Sequence, residues 1–416
     1  MTPQIKQRIE QIRRGEVPEG YKKTKVGVVP CSWKTFLLGD IYTERKESGI
    51  PSLPILTVSI HSGVSDGALD DDEIGKKVKR IEDKTQYRTA RTGDVVFNMM
   101  RAWQGAIGIV RQDGLVSPAY IVATPNEAVY PPFMDCCLKT PQMVNRLHRK
   151  SYGVTDFRLR LYWDSFAMVG CVLPPLAEQK KIAEFLAAQD KLIALKEKLI
   201  EEKKRQKKAL MQQLLTGKKR LPGFSDEWKL TKLKKLLKER KTYSQKGLEY
   251  PHVTLSTDGI YAKTERYDRE HLVRSEDKEY KITHKGDICY NPANLKFGVI
   301  CVNTFGDAIF SPIYVTFEIQ KGVDLGFLSN YLMRWDFINA VRKYEEGTVY
   351  ERMAVKPEDF LKFEIMLPSI EEQKAISQVL SLYDAEIDLL KKDLDQEKQK
   401  KKALMQLMLT GIVRVK

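Results

Sequence analysis

The sequence predicts an α+β chain built as a tandem duplication: two mixed globular units, each followed by one long coiled-coil helix. Three observations carry this. Residues 207–217, KKALMQQLLTG, return as KKALMQLMLTG at 401–411, 194 positions later. The match extends upstream without a gap, so that 173–217 and 367–411 are identical at 21 of 45 positions, the self-similarity at a fixed offset that marks an internal repeat. Both segments also space apolar residues in the 4-3 pattern of a coiled-coil seam.

Residues 1–15 read as a helix with Ile5, Ile9 and Ile12 on one face, started by Thr2 and Pro3 and stopped by Gly15. Residues 16–172 form the first globular unit. Its short β-rich runs GDVVFNMM (93–100), GAIGIV (105–110) and AYIVATP (119–125) lie between Gly, Pro and Asp turns, and a helix-like stretch covers 131–149. The segment 173–217 is the first long helix. Its seam is Ile182, Leu186, Ile193 and Ile200, flanked by Phe185, Leu192 and Leu199, with Pro174 and Pro175 before it and Gly217 at its stop. Residues 218–366 repeat the globular pattern with GDICYN (286–291), FGVICVN (297–303), IYVTFEI (313–319) and a helix-like stretch at 325–344. The last segment, 367–416, is the second long helix. Its seam is Ile376, Leu380, Tyr383, Ile387, Leu390 and Leu394, opened after Pro368 and stopped at Gly411. At 1.5 Å per residue, a helix of about 35 residues is about 50 Å long.

Weaker matches keep the same order in both copies. CSWK (31–34) pairs with DEWK (226–229), LTVS (56–59) with VTLS (253–256), and RIEDK (80–84) with RSEDK (274–278). GDVVFN pairs with GDICYN, and SPAY (117–120) with SPIY (311–314). VPEGY (17–21) echoes LPGF (221–224), which follows the first long helix. The chain therefore reads as a cycle cut open, with its two ends expected to meet.

Composition narrows the function. Hydrophobic residues at 42% suit a folded globular chain. No apolar run approaches the roughly 20 residues that span a bilayer, and the opening residues lack the apolar core of a signal peptide, so the expected location is cytoplasmic. The six cysteines form no CxxC pair and stand apart from the five histidines, which predicts free thiols and no metal. Seventy basic against fifty-five acidic residues give +15, which favours a polyanionic partner.

The motifs of nucleic-acid enzymes are missing. There is no GxxxxGK[ST] phosphate loop, no GxGxxG and no HExxH. NPAN (291–294) partly resembles the Asn-Pro-Pro-aromatic motif of amino-methyltransferases, but lacks its second proline and aromatic, and its counterpart is NMMR. A strand-end turn is the plainer reading. The acidic run DGALDDDE (66–73) lacks the ligand order of a calcium loop and reads as a solvated loop. His148 and His284 have no catalytic partner in view. The basic blocks KKRQKK (203–208) and KQKKK (398–402) read as helix faces for solvent or a partner. In the globular units, cations and amides interleave with aromatics in MRAWQG (100–105), RKSYGVTDFRLR (149–160), ANLKFG (293–298) and RKYEEGTVYERM (342–353). Such side chains clamp phosphates and read base edges.

With these motifs in place, the sequence resembles the specificity subunit of a type I restriction-modification system over nearly its whole length. LPPLAEQKKIAEFL…LMQQLLTG…RLPGF, its second copy LPSIEEQKAISQVL…LMQLMLTG, and the paired GDVVFN…SPAY and GDICYN…SPIY segments carry the resemblance. It implies two pseudo-symmetric target-recognition domains, each reading one half of a split, asymmetric site in double-stranded DNA. The two long helices would separate them as an antiparallel coiled coil and set the spacing of the halves. Two modification subunits, holding the S-adenosylmethionine, would dock on the helices, and restriction subunits would join that core in a prokaryotic cytoplasm. The chain itself would be non-catalytic and hold no cofactor. The candidate DNA contacts are then Arg101, Gln104, Arg158 and Arg160 in the first unit and Asn294, Lys296 and Arg352 in the second. Two other readings stay open: a stand-alone DNA methyltransferase with a degenerate motif, marked by S-adenosylmethionine binding, and a coiled-coil scaffold, marked by failure to bind DNA.

Overall fold

The computed structural model describes residues 2–60, 63–66, 83–154, 158–245, 250–257, 259–263, 279–344 and 354–415. Arg352, most of the acidic run 66–73, RSEDK and most of RIEDK lie outside the described residues. Two compact units emerge, one of residues 1–196 with 393–416 and one of residues 197–392. Each therefore takes in part of both long helices.

In the first unit an antiparallel four-stranded sheet runs Tyr42–Arg45, Tyr120–Pro125, Val95–Asn98, Ile107–Ile109. Its counterpart in the second unit runs Leu237–Glu239, Val315–Ile319, Ile288–Tyr290, Ile300–Val302. Both central strands are buried on both faces, which is why they read as continuous apolar runs. The period of two sends Val95 and Phe97 into one core and Val96 into another. Ile288 and Tyr290 likewise leave Cys289 for the opposite side.

The paired GD motifs brace these sheets. Gly93 and Gly286 hold φ of 93° and 94°, the left-handed region that glycine enters without a Cβ clash. The next residue turns a buried carboxylate inward. Asp94 accepts from Arg45 Nε at 2.7 Å and from the Arg91 amide at 2.8 Å. Asp287 accepts from Arg240 Nε at 2.9 Å and from the His284 amide at 2.7 Å. Each brace ties the edge strand to the turn that starts the central one.

The stretch 131–149 folds as two helices, Pro131–Leu138 and Pro141–Lys150. Thr140 ends the first run because its hydroxyl caps the Met143 amide and Pro141 opens a new helix. The stretch 325–344 divides similarly, into Leu325–Leu332 and Trp335–Val341.

The N-terminal helix spans Pro3–Arg13 with Thr2 as its cap. The long helices span Leu176–Leu214 and Ile370–Leu409, 39 and 40 residues. Gly217 and Gly411 sit just beyond them with φ of 70° and 74°, as helix-stop glycines do. The helix segments in each unit run antiparallel. In the first, Ile182 and Leu186 pack with Met408, Leu404 and Met405, and the ion pairs Lys196–Asp393 and Lys401–Asp190 ascend one helix while descending the other. In the second, Ile376 and Leu380 pack with Leu214, Leu215 and Met211, and Lys203 and Lys207 reach Glu386 and Asp384. Ile200, Ile387 and Leu394 are buried, and Ile193, Tyr383 and Leu390 half-buried. The basic blocks thus spend several of their cations on acidic partners across the seam.

A latch closes each unit at the start of a long helix. Glu178 accepts from Arg414 Nε at 2.5 Å and Nη2 at 2.7 Å, and from Trp33 Nε1 at 3.2 Å. Glu372 accepts from Arg220 at 2.6 and 2.8 Å and from Trp228 Nε1 at 3.0 Å. The neighbouring glutamines pin the globular parts to the helix starts. Gln179 accepts from the Tyr130 amide at 2.9 Å, and Gln373 from the Asp324 amide at 2.8 Å. In the first unit the chain ends meet: the Tyr21 hydroxyl donates to the Gly411 carbonyl at 2.7 Å, and Arg8 donates to that of Ile412.

Candidate nucleic-acid interface

In each unit the central strand runs into a tight turn at one end of the sheet, and that turn carries the candidate residues. In the first unit, Asn98 Oδ1 accepts the Met100 amide at 3.0 Å and the Arg101 amide donates to the Asn98 carbonyl at 2.9 Å. A 3-10 turn at Ala102–Gln104 follows, and Gly105 closes it at φ 102°. Buried Ala102 anchors the turn, while Arg101 and Gln104 are exposed. Trp103 Nε1 donates to the Met100 carbonyl at 3.0 Å and its ring lies 5.6 Å from His148, which gives that histidine a packing role.

The second unit builds the same turn from different residues. Asn291 Oδ1 accepts the amides of Ala293 at 3.1 Å and Asn294 at 3.3 Å. The 3-10 turn is Leu295–Phe297, with Leu295 buried and Gly298 at φ 81°. NPAN is therefore the nucleus of a strand-end turn, equivalent to Asn98 in the first unit. Asn294 is exposed and Lys296 half-buried, with the Lys296 ammonium 5.3 Å from the Phe297 ring.

The remaining candidates of the first unit reach the same end by backbone pairing. Tyr152 and Arg160 exchange hydrogen bonds at 3.0 and 2.9 Å, and the Leu161 amide donates to the Met99 carbonyl at 2.8 Å. Arg158 and Arg160 are exposed on this bridge. Tyr120 starts the neighbouring strand, paired with Asn98. Burial raises its phenol pKa, opposed by the Asn98 hydrogen bond and the Arg101 charge. In the second unit the Val355 amide donates to the Pro292 carbonyl at 3.2 Å, and Tyr290 Oη donates to the Val355 carbonyl at 3.0 Å. The segment before Val355, with Arg352, lies outside the described residues.

These sheet ends also present large apolar side chains that a search for polar readers passes over. Met100 and Tyr152 are exposed in the first unit, Phe297 and Ile313 in the second. All four lie in or beside the quoted motifs, so a search for exposed aromatics and aliphatics there would have found them. His284 Nδ1 lies 3.0 Å from Asp307. Among the described residues no three His, Cys, Asp or Glu side chains are grouped to hold a metal, and no helix is long and apolar enough to cross a membrane. The arrangement offers cations, amides and apolar tips to a polyanion with readable edges.

Residues 225–398 match the family of type I restriction modification DNA specificity domains. Over 439 aligned positions the chain is 25% identical to a putative type I restriction enzyme MjaX specificity subunit of Methanocaldococcus jannaschii, covering 96% of this chain and 97% of that protein. It is 26% identical over 274 positions to the MjaVIII specificity subunit of the same organism, covering 60% of this chain and 64% of that one. Among solved structures it shares its fold with an HsdS subunit from Thermoanaerobacter tengcongensis, at TM-score 0.51 and 18% identity over 92% of this chain and 98% of that one. A chain from a study of assembly and conformational transition in the type I R-M system superposes at TM-score 0.58 and 17% identity, covering 93% of this chain and 98% of that one.

Proposed function

We propose that the chain is a type I restriction-modification specificity subunit, as its similarity to such subunits along nearly its whole length supports, and that it reads a bipartite, asymmetric site. Residues 16–172 read one half and residues 218–366 the other. The half-sites lie about one turn of DNA apart, roughly 34–36 Å, so that both face the protein. The paired helices set that spacing. Two modification subunits dock on them and bring the S-adenosylmethionine chemistry, and restriction subunits join the complex in a prokaryotic cytoplasm. The chain itself contributes recognition, not catalysis, and holds no cofactor.

One observation supports this most directly. The two units build an equivalent turn on the same internal parts, a strand-end asparagine, a buried apolar anchor and a left-handed glycine. They then display different side chains from it, Arg101 and Gln104 in one and Asn294 and Phe297 in the other. A shared scaffold with unlike tips suits two readers of two unlike half-sites.

The test is an exchange. Replacing 218–366 with the equivalent segment of a relative, in the complex with its modification subunits, is expected to change one half of the methylated sequence and leave the other intact. A change in both halves would refute independent readers. Methyl transfer by the purified chain alone would refute the non-catalytic role.

A further inference from the structure

The second unit exposes two large apolar side chains at the sheet end that carries Asn294 and Lys296. Phe297 is 64% exposed and Ile313 is 61% exposed. Phe297 closes the turn that leaves the central strand after Tyr290. Ile313 lies in the turn that enters the next strand at Val315, and Tyr290 and Val315 pair directly. Both turns therefore leave one end of the sheet. At the equivalent positions the first unit has Gln104 and Ala119, and its exposed Met100 projects from a different step of the turn.

Phe297 is held in place. Asn291 fixes the start of its turn, buried Leu295 anchors the middle and Gly298 closes it. The Lys296 ammonium beside the ring supplies charge that suits a phosphate backbone. Asn294 opens the same turn, and a side-chain amide pairs in two places with the major-groove edge of adenine. The apolar feature of that groove is the C5-methyl of thymine.

We propose that Phe297, flanked by Ile313, reads thymine C5-methyl groups in the half-site recognised by the second unit. This rests on the reading of 218–366 as a DNA reader. Asn294 and Phe297 together would select a step bearing an adenine edge and a thymine methyl, whereas the first unit would recognise its half through the hydrogen-bonding groups of Arg101 and Gln104.

The experiment replaces thymine by deoxyuridine, which removes only the methyl. Once methylated-base sequencing has defined the site, the complex of the full chain with its modification subunits is titrated with duplexes carrying deoxyuridine in one half or the other. Substitution in the half assigned to 218–366 is expected to weaken binding about four-fold per contacted methyl, the equivalent of burying one such group. The F297A complex is expected to bind thymine and deoxyuridine duplexes alike, and I313A to narrow the difference. A half-site without thymine, a wild-type complex indifferent to the substitution, or an F297A complex that keeps the wild-type ratio would overturn the inference while leaving the bipartite reading intact. Absence of sequence-specific binding by the wild-type complex would overturn the reading itself.

Discussion

Removing the carboxylate of Glu372 isolates the contribution of one latch. Glu372 is 1% exposed and receives three hydrogen bonds, two from the Arg220 guanidinium and one from the Trp228 indole. Breaking a buried ion pair by deleting one partner costs about 3–5 kcal/mol, because the other charge is left uncompensated. Arg220 retains some relief. Its side chain is 27% exposed, Nη2 also donates to the Asp226 carbonyl at 2.9 Å, and the guanidinium lies 5.6 Å from the Trp228 ring. Glu372→Ala should therefore fall at the low end, about 3 kcal/mol. With a urea dependence of about 2 kcal/mol per molar, the midpoint for residues 197–392 should drop by about 1.5 M.

Urea unfolding followed by tryptophan fluorescence measures that shift. Adding Arg220→Met to Glu372→Ala removes the stranded cation, so the double variant should lose at least about 1 kcal/mol less than the sum of the single losses. A midpoint shift below about 0.3 M, or strictly additive losses, would show that the pair does not hold the second unit together.

The opposite latch predicts that truncation after Gly411, which removes Arg414, lowers the unfolding midpoint of the first unit by a similar amount and spares the second. Arg101→Ala is expected to cost about 1–3 kcal/mol and relax one base if the guanidinium reads a base edge, or to weaken binding to all sequences and flatten the salt dependence if it contacts phosphate. Binding titrations on matched and mismatched duplexes at several salt concentrations separate the two, and unchanged binding excludes both. Burial pushes the Cys171 and Cys289 thiols up to about 12 and those of Cys136 and Cys301 to about 11, and raises Cys137 too. These groups stay protonated at pH 8, so a brief exposure to a thiol reagent should label exposed Cys31 alone, as read by peptide mass spectrometry. Rapid labelling of Cys289 in the native chain would contradict its burial.

The long helices were legible because their signal is redundant: a period, a proline before each start, a glycine after each stop and a second copy to compare. The strands were legible for a related reason, since β-branched and aromatic runs bounded by Gly and Asp admit few other readings. Sequence comparison of the copies is less direct about the interface. Identity between them marks scaffold: Asp94 and Asp287 brace sheets, and Asn98 and Asn291 shape turns. Base contacts are expected where the copies differ, as at Gln104 and Phe297, and difference alone does not separate a contact residue from drift. Phe297 and Ile313 carry no charge or amide, so a pattern of polar side chains does not point to them. The latches were illegible for a simpler reason. Arg220 and Glu372 are 152 residues apart and Arg414 and Glu178 are 236 apart, and a charge on a long helix carries no mark of so distant a partner.

The meeting of Tyr21 and Arg8 with the tail at Gly411 and Ile412 makes the position of the chain break incidental to the fold. Joining the tail to the N-terminal helix through a short linker, and opening the backbone at exposed Lys218 and Lys219 beyond the first long helix, would keep Glu178 with Arg414 and Glu372 with Arg220. The globular part of the second unit would then be synthesised before that of the first, and the helix segment 197–218 that completes the second unit would come last. The two globular parts would exchange places in the gene, while each kept its own helix start, its own latch and its own set of exposed tips. On the proposed bipartite reading, order along the chain and assignment of half-sites would thus be separable.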